Sequence, residues 1–424
     1  MGSDISKSGK REGAAHHRRF SHGLLSVAHR LGQLGPSGVF SRTPHLDTSL
    51  SIPNMSMSPE DTAETSNTEK TPSDSTSLFL PEFPLRTFPG QGRFQILGFI
   101  AKGSFGPILK VKGISEEKTY AVKVLPKSEI LKYGVLDQSK EEVIIQRQLK
   151  HPFIHNLQDC WQTQHHLFIM CDYCGVGDLY TCWLLKSQFR EEEIRLFAAE
   201  MGSALGFLHD LGIMHRDVKM ENILLSDQGH LRLSDFGLSR RLKRGGKAFT
   251  ICGTIQYMAP EVLSGGPYNH AADWWSLGIM LFSLVTGKFP VPAESNHNTM
   301  FNKVRQFSYV PPQTCSTALT LLLTELLCKN PVNRLRNLEC FKMQAFFRGT
   351  LFDPQILQKA PVQVILELRT HPDWPTKARR GLSVDQFDNF DCERILQPPT
   401  ASSELSPSLA NVDLSQAAEQ TCEA

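Results

Sequence analysis

Three apolar–polar alternations mark the start of the patterned part of the chain: "FQILGFI" from Phe94, "ILKVK" from Ile108 and "TYAVKVL" from Thr119. Period-two patterning predicts strands with one buried face. "EEVIIQRQL" from Glu141 shifts to a helical rhythm, and "HLFIMCDY" from His166 predicts a further strand. After about residue 176 helical spacing dominates. In "EEEIRLFAAEMGSALGFLHDLG", Ile194, Phe197, Met201, Leu205 and Leu208 recur three or four residues apart, with Gly212 as the stop. That is one apolar face of a long helix. The run "LGIMLFSLV", near 277–285, is far shorter than the ~18 residues of a membrane span and predicts a buried helix. The pattern predicts an α+β architecture, a small β-rich lobe followed by a larger helical lobe.

Composition sets the limits of that region. Residues 1 to about 40 are basic and rich in small residues, and residues 41 to about 90 are dense in Ser, Thr and Pro, as in "SMSPEDTAETSNTEKTPSDSTS". Such stretches bury too little apolar surface to offset chain entropy. Residues 1–93 are therefore expected to form a disordered arm and residues 393–424 a disordered tail. With 40% hydrophobic and 21% charged residues over 424 positions, the remainder suits a soluble fold with a sizeable core. Lys+Arg 45 against Asp+Glu 43 leaves a net charge of +2, which makes no case for nucleic acid. All ten cysteines lie at or beyond Cys160 with no secretory signal before them. They read as reduced thiols of a cytoplasmic protein. "CDYC" (Cys171, Cys174) lacks the second pair a zinc site would need.

Candidate chemistry begins at "AKGSFG", residues 101–106, between two predicted strands. Glycines suit a loop whose backbone N–H groups approach phosphate oxygens. Alone, the stretch could equally be a hairpin turn, with Ala101 in place of a first glycine and Pro107 next to Gly106. Motifs further along the chain decide between the two: Lys123 in "AVKV", then "HRDVKMEN" (His215 to Asn222), "DFG" (Asp235 to Gly237) and "APE" (Ala259 to Glu261), in that order. The ordered set resembles a eukaryotic protein kinase over residues 94–349.

The resemblance implies the bilobal kinase fold, ATP and Mg2+ as cofactors, and protein substrates. It implies an ATP site built from the phosphate loop (Ile100, Ala101, Lys102, Gly103, Ser104, Phe105, Gly106, Pro107, Ile108), from Lys123 with its partner Glu142, from the hinge residues Asp172 and Cys174, and from Asp178 near the ribose. Cys171 falls at the gatekeeper position. Asp217 would orient and deprotonate the substrate hydroxyl, Lys219 would neutralise the transferred phosphate, and Asn222 and Asp235 would hold the metal. Lys219 and Thr254 point to serine/threonine specificity. Two other readings stay open: a pseudokinase acting as a membrane-tethered scaffold, and a small-molecule kinase sharing the catalytic core. The latter would not need the segment from Asp235 to Glu261.

"DWWSLGIML" with Asp273, "NPVNRL" with Arg334 and "TICGTIQYMAPE" resemble the AGC group, and the ribosomal protein S6 kinase-related branch most of all. Arg334 would pair with Glu261. "FFRGTLFDP" and "DQFDNFD" resemble the group's C-terminal tail, expected over 350–392, with Phe390 near the nucleotide. Three departures stand out. The tail lacks the aromatic docking motif that in the group fills a small-lobe pocket, so this chain must do without one or borrow one in trans. Ile255 and Gln256 replace the usual residues of "GTPEY". Of the acidic residues that read substrate arginines, Asp178 and Glu221 match but the third position is Ser283. A preference for upstream arginine is expected, together with phosphorylation of Thr250 by an upstream kinase, the phosphate pairing with Arg216. Cys252 is expected to be an inert thiol.

At the N-terminus, "MGSDIS" fits a myristoylation signal on Gly2. Lys7, Lys10, Arg11, Arg18 and Arg19 would supply the second, electrostatic signal that a single acyl chain needs, and phosphate on Ser21 in "RRFS" would weaken it. Peripheral membrane association of an otherwise cytoplasmic kinase is the resulting expectation.

Overall fold

A computed structural model describes residues 80–86, 94–103 and 105–372. Gly2, the basic cluster, Ser21, Ser104 and Phe390 lie outside the described residues.

The alternating runs form an antiparallel five-stranded sheet: β1 (Phe94–Lys102), β2 (Pro107–Gly113), β3 (Thr119–Pro126), β4 (Leu157–Gln162) and β5 (His166–Asp172), in the order β1-β2-β3-β5-β4. Alternation puts two sets of side chains on opposite faces. Leu109, Val111, Val122, Trp161 and Phe168 pack on one face. Leu125, Leu167 and Ile169 pack on the other, with Val143 of a helix laid across it. Two helices follow β3: α1 (Lys127–Lys132) and α2 (Leu136–Gln146). Lys123 pairs directly with Ile169 across the β3–β5 ladder. Paired residues project from the same face, so Lys123 points toward α2.

The larger lobe is helical. Asp178 caps α3 (Leu179–Lys186) by accepting the Thr181 N–H at 2.8 Å. The expected amphipathic helix is α4 (Glu191–Asp210), with Ile194, Phe197, Met201, Leu205 and Leu208 all buried. Gly212 takes a left-handed φ of +71°, which ends it. The apolar run near 277–285 lies inside α5 (Ala271–Thr286), packed on α4. Among the described residues no helix is long and apolar enough to cross a membrane.

The expectation of a disordered arm through residue 93 is corrected at residues 80–86. Leu80 and Phe83 are 1% and 0% exposed and belong to the small-lobe core. Two apolar side chains three residues apart fill a gap that the polar composition around them concealed.

Candidate active site

The cleft between the lobes collects the charged residues singled out in the sequence. On the small-lobe side, Lys123 Nζ donates to both carboxylate oxygens of Glu142, at 2.8 and 3.0 Å. Glu141, the neighbouring alternative, does not face Lys123; the i, i+1 offset turns it to another side of α2. Burial disfavours the charge on Lys123, but Glu142 and Asp235 outweigh it and hold the ammonium above its usual range.

On the large-lobe side, the segment from His215 to Asn222 is anchored by Asp273 near the start of α5. Its 1%-exposed carboxylate accepts the backbone N–H groups of His215 and Arg216, both at 2.9 Å, and contacts His209 Nε2 at 2.9 Å. These contacts hold Arg216 at a left-handed φ of +68°. Asp217 is thereby presented to the cleft. Lys219 Nζ lies 2.7 Å from its Oδ2, the Thr254 hydroxyl donates to its Oδ1 at 2.8 Å, and Asn222 Nδ2 donates to its Oδ2 at 3.1 Å. Lys219 also reaches the Thr254 oxygen at 3.0 Å. The Asp217 carboxylate is thus satisfied by two donors from its own turn and one from the later segment that carries Thr254.

Asp235 also adopts a left-handed conformation, φ 63°. Burial would raise its carboxyl, but Lys123 and Lys219 outweigh this and hold it below the usual range. Phe236 behind it is buried edge-on against His215. Asn222 spends its amide nitrogen on Asp217, leaving the amide oxygen as a ligand for a cation. Asp235 and Asn222 together offer hard oxygen atoms, which fits magnesium held by few protein ligands and phosphate oxygens.

The glycine loop answers the question its sequence raised. Ala101 sits within β1 opposite Ile108, outside the left-handed region, so its methyl costs nothing. Pro107 begins β2, where a missing N–H is tolerated. Gly103 N–H donates to the Gly106 carbonyl at 2.8 Å. A Cβ on Gly106 would lie 2.0 Å from the Val124 carbonyl oxygen, a clash no rotamer relieves. Gly106→Ala is therefore expected to cut kcat/KM for ATP by roughly 10²-fold, the scale of a 1 Å misplacement, while Ala101→Gly stays within about twofold. Steady-state kinetics against ATP concentration checks both, and equal effects would refute the assignment. Phe105 folds inward beside Lys123 and Glu142, its ring 5.8 Å from that of Tyr133 and packed against Leu238 and Cys252.

At the hinge, Cys171 is buried and its thiol, pushed up to about 12 by burial and the nearby Glu142, stays protonated. The His155 ring contacts the Asp172 carbonyl at 2.6 Å, and Lys118 and Arg232 flank the Asp172 carboxylate at 2.9 and 3.1 Å. A cavity of about 620 Å³ opens on the outer side of this hinge, lined by Lys110, Lys118, Tyr173, Asp227, Arg232 and Arg369. It does not include Asp217 or Lys123.

Among the other residues, Glu261 and Arg334 form a buried two-point ion pair at 2.6 and 2.9 Å. Thr250 is exposed, and its carbonyl accepts the Tyr268 hydroxyl at 2.6 Å, a hydroxyl that Arg216 also approaches. Cys252 is buried beside Tyr268, and burial raises its thiol. Ile255 packs against the large-lobe core. Ser283 is fully buried and bonds back to the Ile279 carbonyl, so it offers nothing to a substrate. Sequence reasoning missed the anchoring by Asp273 and the bond from Gln138 of α2 to the Gly237 carbonyl. A carboxylate inside an apolar helix was the available signal for the first; nothing local signalled the second.

Residues 94–346 match the protein kinase domain family. The chain is 56% identical to human ribosomal protein S6 kinase-related protein over 317 residues, 75% of this chain and 76% of that one. It is 39% identical to protein kinase 2 of Dictyostelium discoideum over 242 residues, 57% of this chain and 50% of the other. Against ribosomal protein S6 kinase alpha-3 of Mus musculus the identity is 36% over 324 residues, 74% of this chain but only 42% of that longer protein.

Proposed function

The chain belongs to the protein kinase family, and on that premise we propose how its cleft transfers phosphate to protein hydroxyls. It is an AGC-type serine/threonine kinase, and the family implies ATP as phosphate donor. The pseudokinase reading has nothing to favour it, since no charged member of the set is missing. The observation that carries the assignment of roles is the shared environment of Asp217, Lys219 and Thr254 opposite the Lys123–Glu142 pair.

Phosphoryl transfer is chiefly positioning and charge neutralisation. Lys123 holds the α- and β-phosphates, and Glu142 keeps its ammonium from swinging away. Gly103 and Gly106 let backbone N–H groups approach the phosphates. The Asp172 and Cys174 backbones meet the adenine, and Asp178 meets the ribose. Asp217 orients the substrate hydroxyl and accepts its proton as the new oxygen–phosphorus bond forms and the bond from the γ-phosphorus to the bridging oxygen breaks, with ADP as the leaving group. Lys219 balances charge on the moving phosphoryl group. Asn222 and Asp235 are the residues that would hold magnesium, which supplies charge neutralisation across the phosphate oxygens when bound.

Burial raises the carboxyls of both Glu221 and Asp178, and the Asp178 charge adds to the rise at Glu221. Such a pair of neighbouring carboxyls suits a substrate arginine. With Ser283 turned inward, selection at a second arginine position is expected to be weak. Phosphate on Thr250 would meet Arg216 through the region of Tyr268 and order the segment that carries Thr254.

A serine, threonine and tyrosine peptide panel, each with and without upstream arginine, tests this on wild type and Thr250→Ala. Arginine peptides bearing serine or threonine are expected to be favoured at least about tenfold, and Thr250→Ala to lose about tenfold or more in rate with the preference unchanged. Equal use of peptides without arginine would remove the substrate assignment; full activity of Thr250→Ala would remove the regulatory one.

A further inference from the structure

The seven residues 80–86 make more contacts than a passing strand of arm would need. They add to the free edge of β4: Arg86 N–H donates to the Gln162 carbonyl and Gln162 N–H to the Pro84 carbonyl, both at 2.9 Å. The fully buried Gln162 side chain bonds to the same segment, its oxygen being shared with Lys127 Nζ of α1 at 2.9 Å. Its Nε2 donates to the carbonyls of Leu80 and Phe83 at 2.6 Å each, and its Oε1 accepts the Leu80 N–H at 3.3 Å. Leu80 and Phe83 insert into the cluster that includes Ile130 of α1 and Val143 of α2. Just past the last turn of α2, the exposed Arg147 donates to the Glu82 carbonyl at 2.6 Å. Arg86 closes the far end on Asp159 at 2.8 Å.

Val143 is the residue after Glu142. A segment that packs on Val143 and tethers Arg147 grips α2 within about one and a half turns of the carboxylate that pairs with Lys123. We propose that residues 80–86 are an intrachain peptide ligand of the small lobe, which seats α2 and so holds Glu142 against Lys123. Leu80 and Phe83 are positioning residues; neither approaches the cleft. The binding stands on these contacts alone, whereas its catalytic consequence rests on the kinase reading above.

The test uses the full chain carrying Leu80→Ala and Phe83→Ala together, with a fluorescent peptide of residues 78–88 as probe. The variant is expected to bind the peptide saturably while wild type, its groove filled, does not. Its kcat is expected to fall about tenfold, with little change in KM for the protein substrate, and to recover when unlabelled peptide is added. Arg147→Ala, at an exposed position, keeps the test open should the double variant fail to fold; a smaller fall in kcat in the same direction is expected. Unchanged kcat in a variant that binds the peptide would overturn the positioning role. A loss that peptide neither binds to nor rescues would reduce the segment to a fixed part of the lobe and overturn the proposal. If wild type itself transferred no phosphate, the kinase reading would fall, and peptide binding would still report on the groove.

Discussion

Asp217→Asn is expected to lower kcat by about 10³-fold, within the range general for a positioned acid–base group, while ATP affinity changes by no more than about twofold. Asp217 is 7% exposed, and its carboxylate is met only by donors: Lys219, the Thr254 hydroxyl and Asn222 Nδ2. Replacing one oxygen by an NH2 keeps the shape but sets donor against donor, and it removes the atom that would take the substrate proton. The fold should survive, because the turn is held by Asp273 from behind and not by Asp217. On the proposed roles ATP is held by Lys123 and the glycine loop, so nucleotide binding should be spared. Radioactive phosphate transfer to a serine peptide measures the first quantity, and titration with a fluorescent ATP analogue the second. A residual rate within tenfold of wild type would show that the Asp217 carboxylate is not the proton acceptor. Lost nucleotide binding would show that the variant had disturbed the whole cleft.

Much of this site was legible because its chemistry is carried by short stretches. Lys219 and Asn222 stand two and five residues from Asp217, so one tight turn brings them together whatever the rest of the chain does. The α4 helix was legible for a similar reason: its apolar stripe runs from Ile194 to Leu208 within a helix of 20 residues, long enough for period to outweigh local exceptions. Contacts between distant segments were harder. Asp273 reaches residues 57 and 58 positions earlier, and no spacing rule foretells that a buried carboxylate will take backbone N–H groups there. Residues 80–86 were hidden by averaging. Leu80 and Phe83 are two apolar residues after a long Ser/Thr/Pro stretch, and the partner that saturates them, Gln162, is a polar residue some 80 positions away. Composition registers how polar a whole stretch is, whereas docking needs only two well-placed side chains and an unpaired strand edge. The closeness of Gly106 to Val124 likewise depends on how β1 and β2 bend over β3, which a glycine pattern alone does not encode.

Arg334→Ala is expected to produce the largest loss of stability, about 3–5 kcal/mol, as for other broken buried ion pairs. The Arg334 side chain is wholly inaccessible and that of Glu261 10% exposed. Besides the two bonds to Glu261, Arg334 donates to the Cys328 carbonyl at 2.9 Å and the Ala271 carbonyl at 3.0 Å, and its guanidinium lies 5.0 Å from the centre of the Trp275 ring. One cation therefore ties the end of the Asp235–Glu261 segment to the start of α5 and to the loop after Leu326. Alanine would leave a largely buried carboxylate unpaired, remove the bonds to the Cys328, Ala271 and Lys329 carbonyls, and open a cavity against Trp275. For a domain of this size the melting temperature should drop by on the order of 10 °C, which a thermal circular-dichroism scan reads directly. Glu261→Met combined with Arg334→Met should lose less than Arg334→Ala, because no charge is left unpaired and volume is kept. That double variant also separates stability from function. If Glu261 only stabilises the lobe, the double variant should regain activity with its melting temperature. If the pair sets the position of Thr254 and the substrate-facing segment, kcat should stay low in a protein whose stability has been largely restored. An Arg334→Ala protein melting within about 1 °C of wild type would mean that water or a shifted lysine replaces the guanidinium, and that the pair does not brace the lobe.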